Sequence, residues 1–171
     1  LAEHTDLAAL AADSSDTADQ SAATRAWERW ATAQLTALGL GGGFHGTRTP
    51  EAVEEMVAVA RTALTSKPVR RAAARPHWAE LPVAGALPTA DGTPVAVDGV
   101  VDLVVDEPDG SLSVIDYKTD VAVTTVTVDE YLLQLCAYAE LLGATTGRTV
   151  SRVELVFCRG NRATVIGRDL S

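Results

Sequence analysis

Residues 99–120 read GVVDLVVDEPDGSLSVIDYKTD, and the fold turns on how this stretch pairs with itself. Two runs of period-two apolar residues, Thr93 to Val105 and Ser111 to Tyr117, flank the turn Glu107-Pro108-Asp109-Gly110, and this pattern predicts a β-hairpin. A three-residue loop, Pro108-Asp109-Gly110 with the glycine left-handed, pairs Glu107 with Ser111 and therefore Asp102 with Asp116. A two-residue loop pairs Asp102 with Ile115 instead. In the first register the two carboxylates face each other with β-carbons roughly 5 Å apart, and Lys118, two residues past Asp116, shares their face. Like charges at that separation repel. A divalent cation is the simplest compensation, and hard oxygen ligands suit Mg²⁺ or Mn²⁺.

Upstream, Thr49 and Pro50 cap a helix of about 50–66 with Val53, Met56, Val57, Ala60 and Leu64 on one face. Lys67-Pro68 ends it, a short helix is expected over 68–74, and Pro76 breaks the chain before a strand, His77 to Ala84. Residues 7–38 read as helix, polar break (Asp13 to Gln20) and helix, with Trp27, Trp30, Leu35 and Leu38 at helical spacing. The glycine-rich stretch 39–46 lacks the Lys-Ser/Thr of a phosphate-binding loop. Downstream, Thr127-x-x-Glu130 is a capping box that opens a helix to about Leu142. Leu132, Leu135, Ala139 and Leu142 form its buried stripe, and Gly143 is its expected stop. Val150 to Cys158 and Ala163 to Ile166 complete the strands. The order implies one α/β domain over 1–171, a helical region (1–75) followed by a sheet and helix that carry the site (76–171).

The 171-residue chain is 47% hydrophobic and 22% charged, with a mean hydropathy of +0.10. It therefore falls with soluble globular proteins rather than disordered ones. No apolar run reaches the roughly 20 residues of a membrane helix, and the start lacks the form of a secretory signal, so a cytoplasmic protein is expected. Its two cysteines, Cys136 and Cys158, support neither a disulfide scaffold nor a cysteine metal site, and both are expected to be buried thiols. The net charge of −9 argues against binding nucleic acid through global charge alone. The charge is unevenly spread, however. Residues 98–120 carry seven acids and one base, Lys118, whereas 48–75 and 148–171 are rich in arginine. An acidic centre with basic flanks suits a metal site that meets a polyanion.

Three motifs stand in order: Gly99-x-x-Asp102, Ile115-Asp116-Tyr117-Lys118-Thr119-Asp120 and Gln134-x-x-x-Tyr138. Together they closely resemble the RecB-like branch of the PD-(D/E)xK nuclease superfamily, found at the C-terminal ends of helicase–nucleases of the RecBCD, AddAB and AdnAB type. The resemblance covers roughly residues 76–160, and Trp78-Ala79-Glu80-Leu81-Pro82 is similar to the strand that precedes the hairpin in that family. It implies a restriction-endonuclease-like fold, with a mixed central sheet flanked by helices on both faces.

By position, the resemblance makes Asp102, Asp116 and the carbonyl of Tyr117 metal ligands and Lys118 the catalytic lysine. Glu80 would join through water, and Gln134 and Tyr138 would help to hold the site and the DNA backbone. The family's Gly-x-x-x-His motif, whose histidine is a further ligand, has no clear counterpart here. Gly41-x-x-x-His45 matches the letters inside a glycine-rich loop, while His4 lies nearer the expected distance without the glycine. Arg70 and Arg71 are the candidate DNA-contacting arginines. Trp27, Trp30 and Trp78 read most simply as core or interface anchors, and Tyr131 as packing. The implied function is Mg²⁺-dependent DNA hydrolysis, with Mn²⁺ able to substitute, as the nuclease module of a helicase–nuclease in double-strand-break repair. A helicase motor domain or partner subunit would lie upstream. The rivals are a nuclease-fold domain that binds DNA or a partner without cutting and a small stand-alone nuclease of related fold.

Overall fold

The computed structural model describes residues 50–119, 125–159 and 162–170. The expected helices within 7–38, the 39–46 loop, His4, His45, Trp27, Trp30 and Asp120 lie outside them. Two helices, α1 (Pro50–Leu64) and α2 (Lys67–Ala73), lead into three strands, β1 (His77–Pro88), β2 (Pro94–Asp106) and β3 (Leu112–Lys118). Helix α3 (Thr125–Thr146) and strands β4 (Val150–Arg159) and β5 (Arg162–Asp169) complete the order.

The strands lie side by side in sequence order, β1-β2-β3-β4-β5. Every neighbouring pair is antiparallel except β3 and β4, which are parallel. A parallel pair needs a crossover, and α3 provides it. The sheet is therefore mixed and flanked by helices, the architecture of a restriction-endonuclease-like fold.

Two apolar clusters fill the space on either side of the sheet. Leu132, Leu135, Tyr138, Ala139, Leu141 and Leu142 of α3 pack on Val101, Val104, Leu112, Val114, Val153, Leu155 and Phe157. Leu64, Val69 and Ala72 of α1 and α2 pack with Leu103, Val105, Ile115, Val156 and Cys158. Because both faces are covered, β3 is buried from Leu112 to Asp116 without the alternation of a half-exposed strand.

The anticipated stripe of α3 is buried, but its ends differ from expectation. The helix begins at Thr125, two residues before the capping-box threonine, and continues through Gly143 to Thr146. Gly147, at a φ of +68°, is the true stop, and its N–H donates to the Gly143 carbonyl over 2.9 Å. That is the geometry of a left-handed helix end. Strand β1 also outruns the expected Ala84, because it pairs with β2 as far as Pro88 opposite Pro94. No helix among the described residues is long and apolar enough to cross a membrane.

Candidate active site at the β2–β3 hairpin

The three-residue turn sets the register. The Glu107 N–H donates to the Ser111 carbonyl over 3.0 Å, and Gly110 takes a φ of +86°. Asp106 then pairs with Leu112, Val104 with Val114 and Leu103 with Ile115. The paired register ends there, and one further step in it would set Asp102 opposite Asp116.

Here the strands begin to part. The Tyr117 N–H, which a continued ladder would direct to the Val101 carbonyl, donates instead to Asp102 Oδ2 over 2.8 Å. Two observations mark the same level as a break in the sheet. Val101 belongs to the cluster under α3, whereas Leu103 belongs to the cluster under α1 and α2. On the adjacent strand, Ala79 pairs with Leu103 and Leu81 with Val101, so Glu80 lies level with Asp102. Glu80 has a φ of +50°, which is unusual and strained for a residue with a side chain. Three carboxylates, of Glu80, Asp102 and Asp116, thus come to one level on three adjacent strands.

Asp116 is 5% exposed and lies on the α3 face with Val114. Lys118 shares that face and places Nζ 2.7 Å from Asp116 Oδ2, closing an ion pair along one strand. Like charges brought near one another repel, and the ammonium offsets part of this. Three carboxylates and one ammonium leave two negative charges in excess. Asp102 and Asp116, with the Tyr117 carbonyl and Glu80 near by, offer only hard oxygen donors, so the set fits a hydrated divalent cation. Among the described residues, no group of three or more His, Cys, Asp or Glu side chains is clustered tightly enough to hold a metal by itself.

The Tyr117 side chain points to the opposite face, against the α1–α2 cluster. Its phenol is pushed far above the ordinary range by burial first, then by the negative charge of Asp102. It therefore stays protonated and neutral.

Gln134 and Tyr138 meet each other on α3, where Gln134 Nε2 donates to the Tyr138 hydroxyl over 2.9 Å. Tyr138 is 6% exposed and lies across Gly99, where a β-carbon would come within 2.6 Å of the tyrosine Cζ. The first and third motifs are therefore joined by packing, and Tyr138 sits in the core rather than on a DNA-facing surface. Gln134 is exposed.

Arg71 departs from the expected DNA track. Its guanidinium pairs with Glu154 and, over 3.3 Å, with Glu107, on the sheet face opposite Asp116. Glu154 is 3% exposed and is also held by Arg152 at 3.2 Å, while Arg75 pairs with Glu107. This buried charge network had no motif to announce it. Arg70 is exposed. Trp78 is also exposed rather than a core anchor, because β1 is an edge strand. Cys158 is buried as expected, but Cys136 is only half-buried.

Tyr131, expected from the sequence only to pack, lies beside Lys118. Its ring centroid lies 4.3 Å from Lys118 Nζ. The spacing of Tyr131, Gln134 and Tyr138, i, i+3 and i+7 on one helical face, was the available signal.

The family model described as the PD-(D/E)XK nuclease superfamily matches residues 2–167. A solved structure described as "Crystal structure of SSO0001" is 15% identical with a TM-score of 0.44, over 71% of this chain and 52% of that one. The chain thus spans about half the length of that protein. No curated protein matches the chain.

Proposed function

The chain belongs to the PD-(D/E)XK nuclease superfamily, and from that premise we propose that it hydrolyses DNA phosphodiester bonds at Asp102, Asp116 and Lys118. The observation that carries the proposal is Asp102 bonded over 2.8 Å to the Tyr117 N–H, next to Asp116, whose carboxylate lies 2.7 Å from the Lys118 ammonium. Asp102, Asp116 and the Tyr117 carbonyl would hold a divalent cation, Mg²⁺ or Mn²⁺. That ion supplies polarisation of the phosphoryl oxygen and a lowered pKa for attacking water.

The chain's own groups do the rest. The Tyr117 N–H donates to Asp102 Oδ2 and so limits how that carboxylate can turn. Lys118 donates hydrogen bonds to the attacking water and to the phosphate oxygen that gains charge as the phosphorus–oxygen bond breaks. Glu80, exposed beside Asp102, orients water at the open edge of the sheet. Gln134 can donate to a DNA phosphate, and Arg70 can follow the backbone at longer range. The motif order supports a RecB-like module of a helicase–nuclease acting in double-strand-break repair, with a motor domain or partner subunit as its companion.

One assay decides between cutting and binding. The wild-type chain is expected to degrade linear single- or double-stranded DNA with Mg²⁺ or Mn²⁺ and to be silent in EDTA. Asp116→Ala and Lys118→Ala should each lower the rate by about 10²-fold or more while retaining the fold. Undiminished cleavage by pure Asp116→Ala would overturn the assignment. The second reading is a domain that binds DNA or a partner without cutting. It is favoured by a described ligand set that does not reach three clustered side chains, and metal-dependent DNA binding with no cleavage would select it.

A further inference from the structure

We infer that Tyr131 is a positioning residue for Lys118, its ring face holding the ammonium where the candidate site needs it. The inference rests on the reading of Asp102, Asp116 and Lys118 as the hydrolytic site. Lys118 Nζ stands 4.3 Å from the Tyr131 ring centroid, within the range of a cation–π contact. The ring also has an aromatic neighbour. Phe157 pairs with Lys118 across the parallel β3–β4 ladder and is 4% exposed. Its ring lies 6.4 Å from that of Tyr131 at 42°, a tilted aromatic contact. Strand β3 thus supplies the lysine, β4 the wall and α3 the lid.

A second anchor matters because the first is shared. Lysine is a compact charge on a flexible four-carbon stem, and Asp116 is its only ion-pair partner among the described residues. Any cation drawn to Asp116 and Asp102 repels the ammonium and competes for the same carboxylate. The ring carries no net charge and is a poor ligand for a hard cation, so its hold on Lys118 persists when the carboxylate is occupied. Tyr131 therefore narrows the positions that Lys118 can take without touching the reacting atoms.

The test begins with lysine NMR on the metal-free and DNA-free chain. The sequence has two lysines, Lys67 and Lys118, and Lys67 is exposed at the start of α2, so it serves as an unshifted reference. The ε-methylene protons of Lys118 should be displaced upfield by the ring current. The displacement should survive in Tyr131→Phe and vanish in Tyr131→Leu. In cleavage assays with Mg²⁺, Tyr131→Leu should lose about 10-fold in kcat with KM unchanged, and Tyr131→Phe should restore it.

Lys118 protons without an upfield shift in the wild-type chain would overturn the inference with no variant needed. Equal loss of kcat in both variants, or wild-type kcat in Tyr131→Leu, would overturn it too. If instead the shift is present but Asp116→Ala still cleaves, the site reading fails and the positioning role falls with it, while the ring contact itself stands.

Discussion

Gly99 is a residue whose importance lies in what it omits. The Tyr138 ring crosses β2 at this point, and a β-carbon would stand within 2.6 Å of Cζ and closer still to the hydroxyl. Gly99→Ala should therefore displace Tyr138, break its bond with Gln134 and destabilise the fold by about 1–3 kcal/mol. Urea unfolding checks this, and an unchanged midpoint would mean that the ring moves aside at no cost. The sequence made Gly99 legible as part of a motif with Asp102, yet its contact lies across the sheet on a helix, where no local pattern reaches. Glu80 is a similar case. Its place in an aromatic-x-Glu-x-Pro strand is readable, but its φ of +50° sits between Ala79 and Leu81, both paired to β2, a backbone feature that no local pattern shows.

At the scale of elements, the β2–β3 hairpin was almost wholly written in its own residues. Pro108, Asp109 and Gly110 allow a three-residue turn or a tighter one, and the structure takes the three-residue turn that sets Leu103 opposite Ile115. Asp109 locks it further, accepting from the Ser111 N–H over 3.0 Å and from the Ser111 hydroxyl over 2.7 Å. The β1–β2 hairpin uses the same device, in which Asp91 accepts from the Thr89 hydroxyl and from the Thr93 N–H. The Thr89 hydroxyl, then the Thr93 N–H, lower the Asp91 pKa from 3.8 to about 2. A lowered folded pKa favours the folded turn above the ordinary value, and that contribution is lost as the pH falls from 3.8 towards about 2. A carboxyl NMR titration should place the Asp91 midpoint near 2, and a midpoint near the ordinary 3.8 would show that the turn bonds do not form. Helix α3 was less legible at its ends. Its buried stripe is periodic, but the helix runs on through Gly143 with residues 144–146 exposed and stops at Gly147, whose left-handed φ and N–H bond to the Gly143 carbonyl close it.

Across the whole molecule, the two faces of the sheet serve different ends. The α3 face carries Asp116, Lys118 and Tyr131, whereas the α1–α2 side carries Glu154 with Arg71 and Arg152. Burying a carboxylate is costly unless it is paired. Arg71→Met should therefore lower stability by about 1–3 kcal/mol, because Arg152 alone remains to meet Glu154. It should leave the metal dependence of cleavage unchanged, since Arg71 lies on the face away from Asp116. A fall in the urea midpoint together with wild-type DNA affinity would agree with a structural Arg71, and weakened DNA binding without loss of stability would return it to the DNA track.

The sequence by itself determined the kind of elements from α1 to β5, narrowed the β2–β3 hairpin to two registers and singled out Asp102, Asp116 and Lys118 as candidates. Those depend on spacing and turn chemistry, which act between residues near in the chain. Only the tertiary structure decided that β3 and β4 run parallel beneath α3, that Tyr138 needs Gly99, that Glu154 draws in Arg71 and that Tyr131 lies over Lys118. Each of these is a contact between distant segments, fixed by how apolar faces and charges are satisfied together when the sheet is covered on both sides.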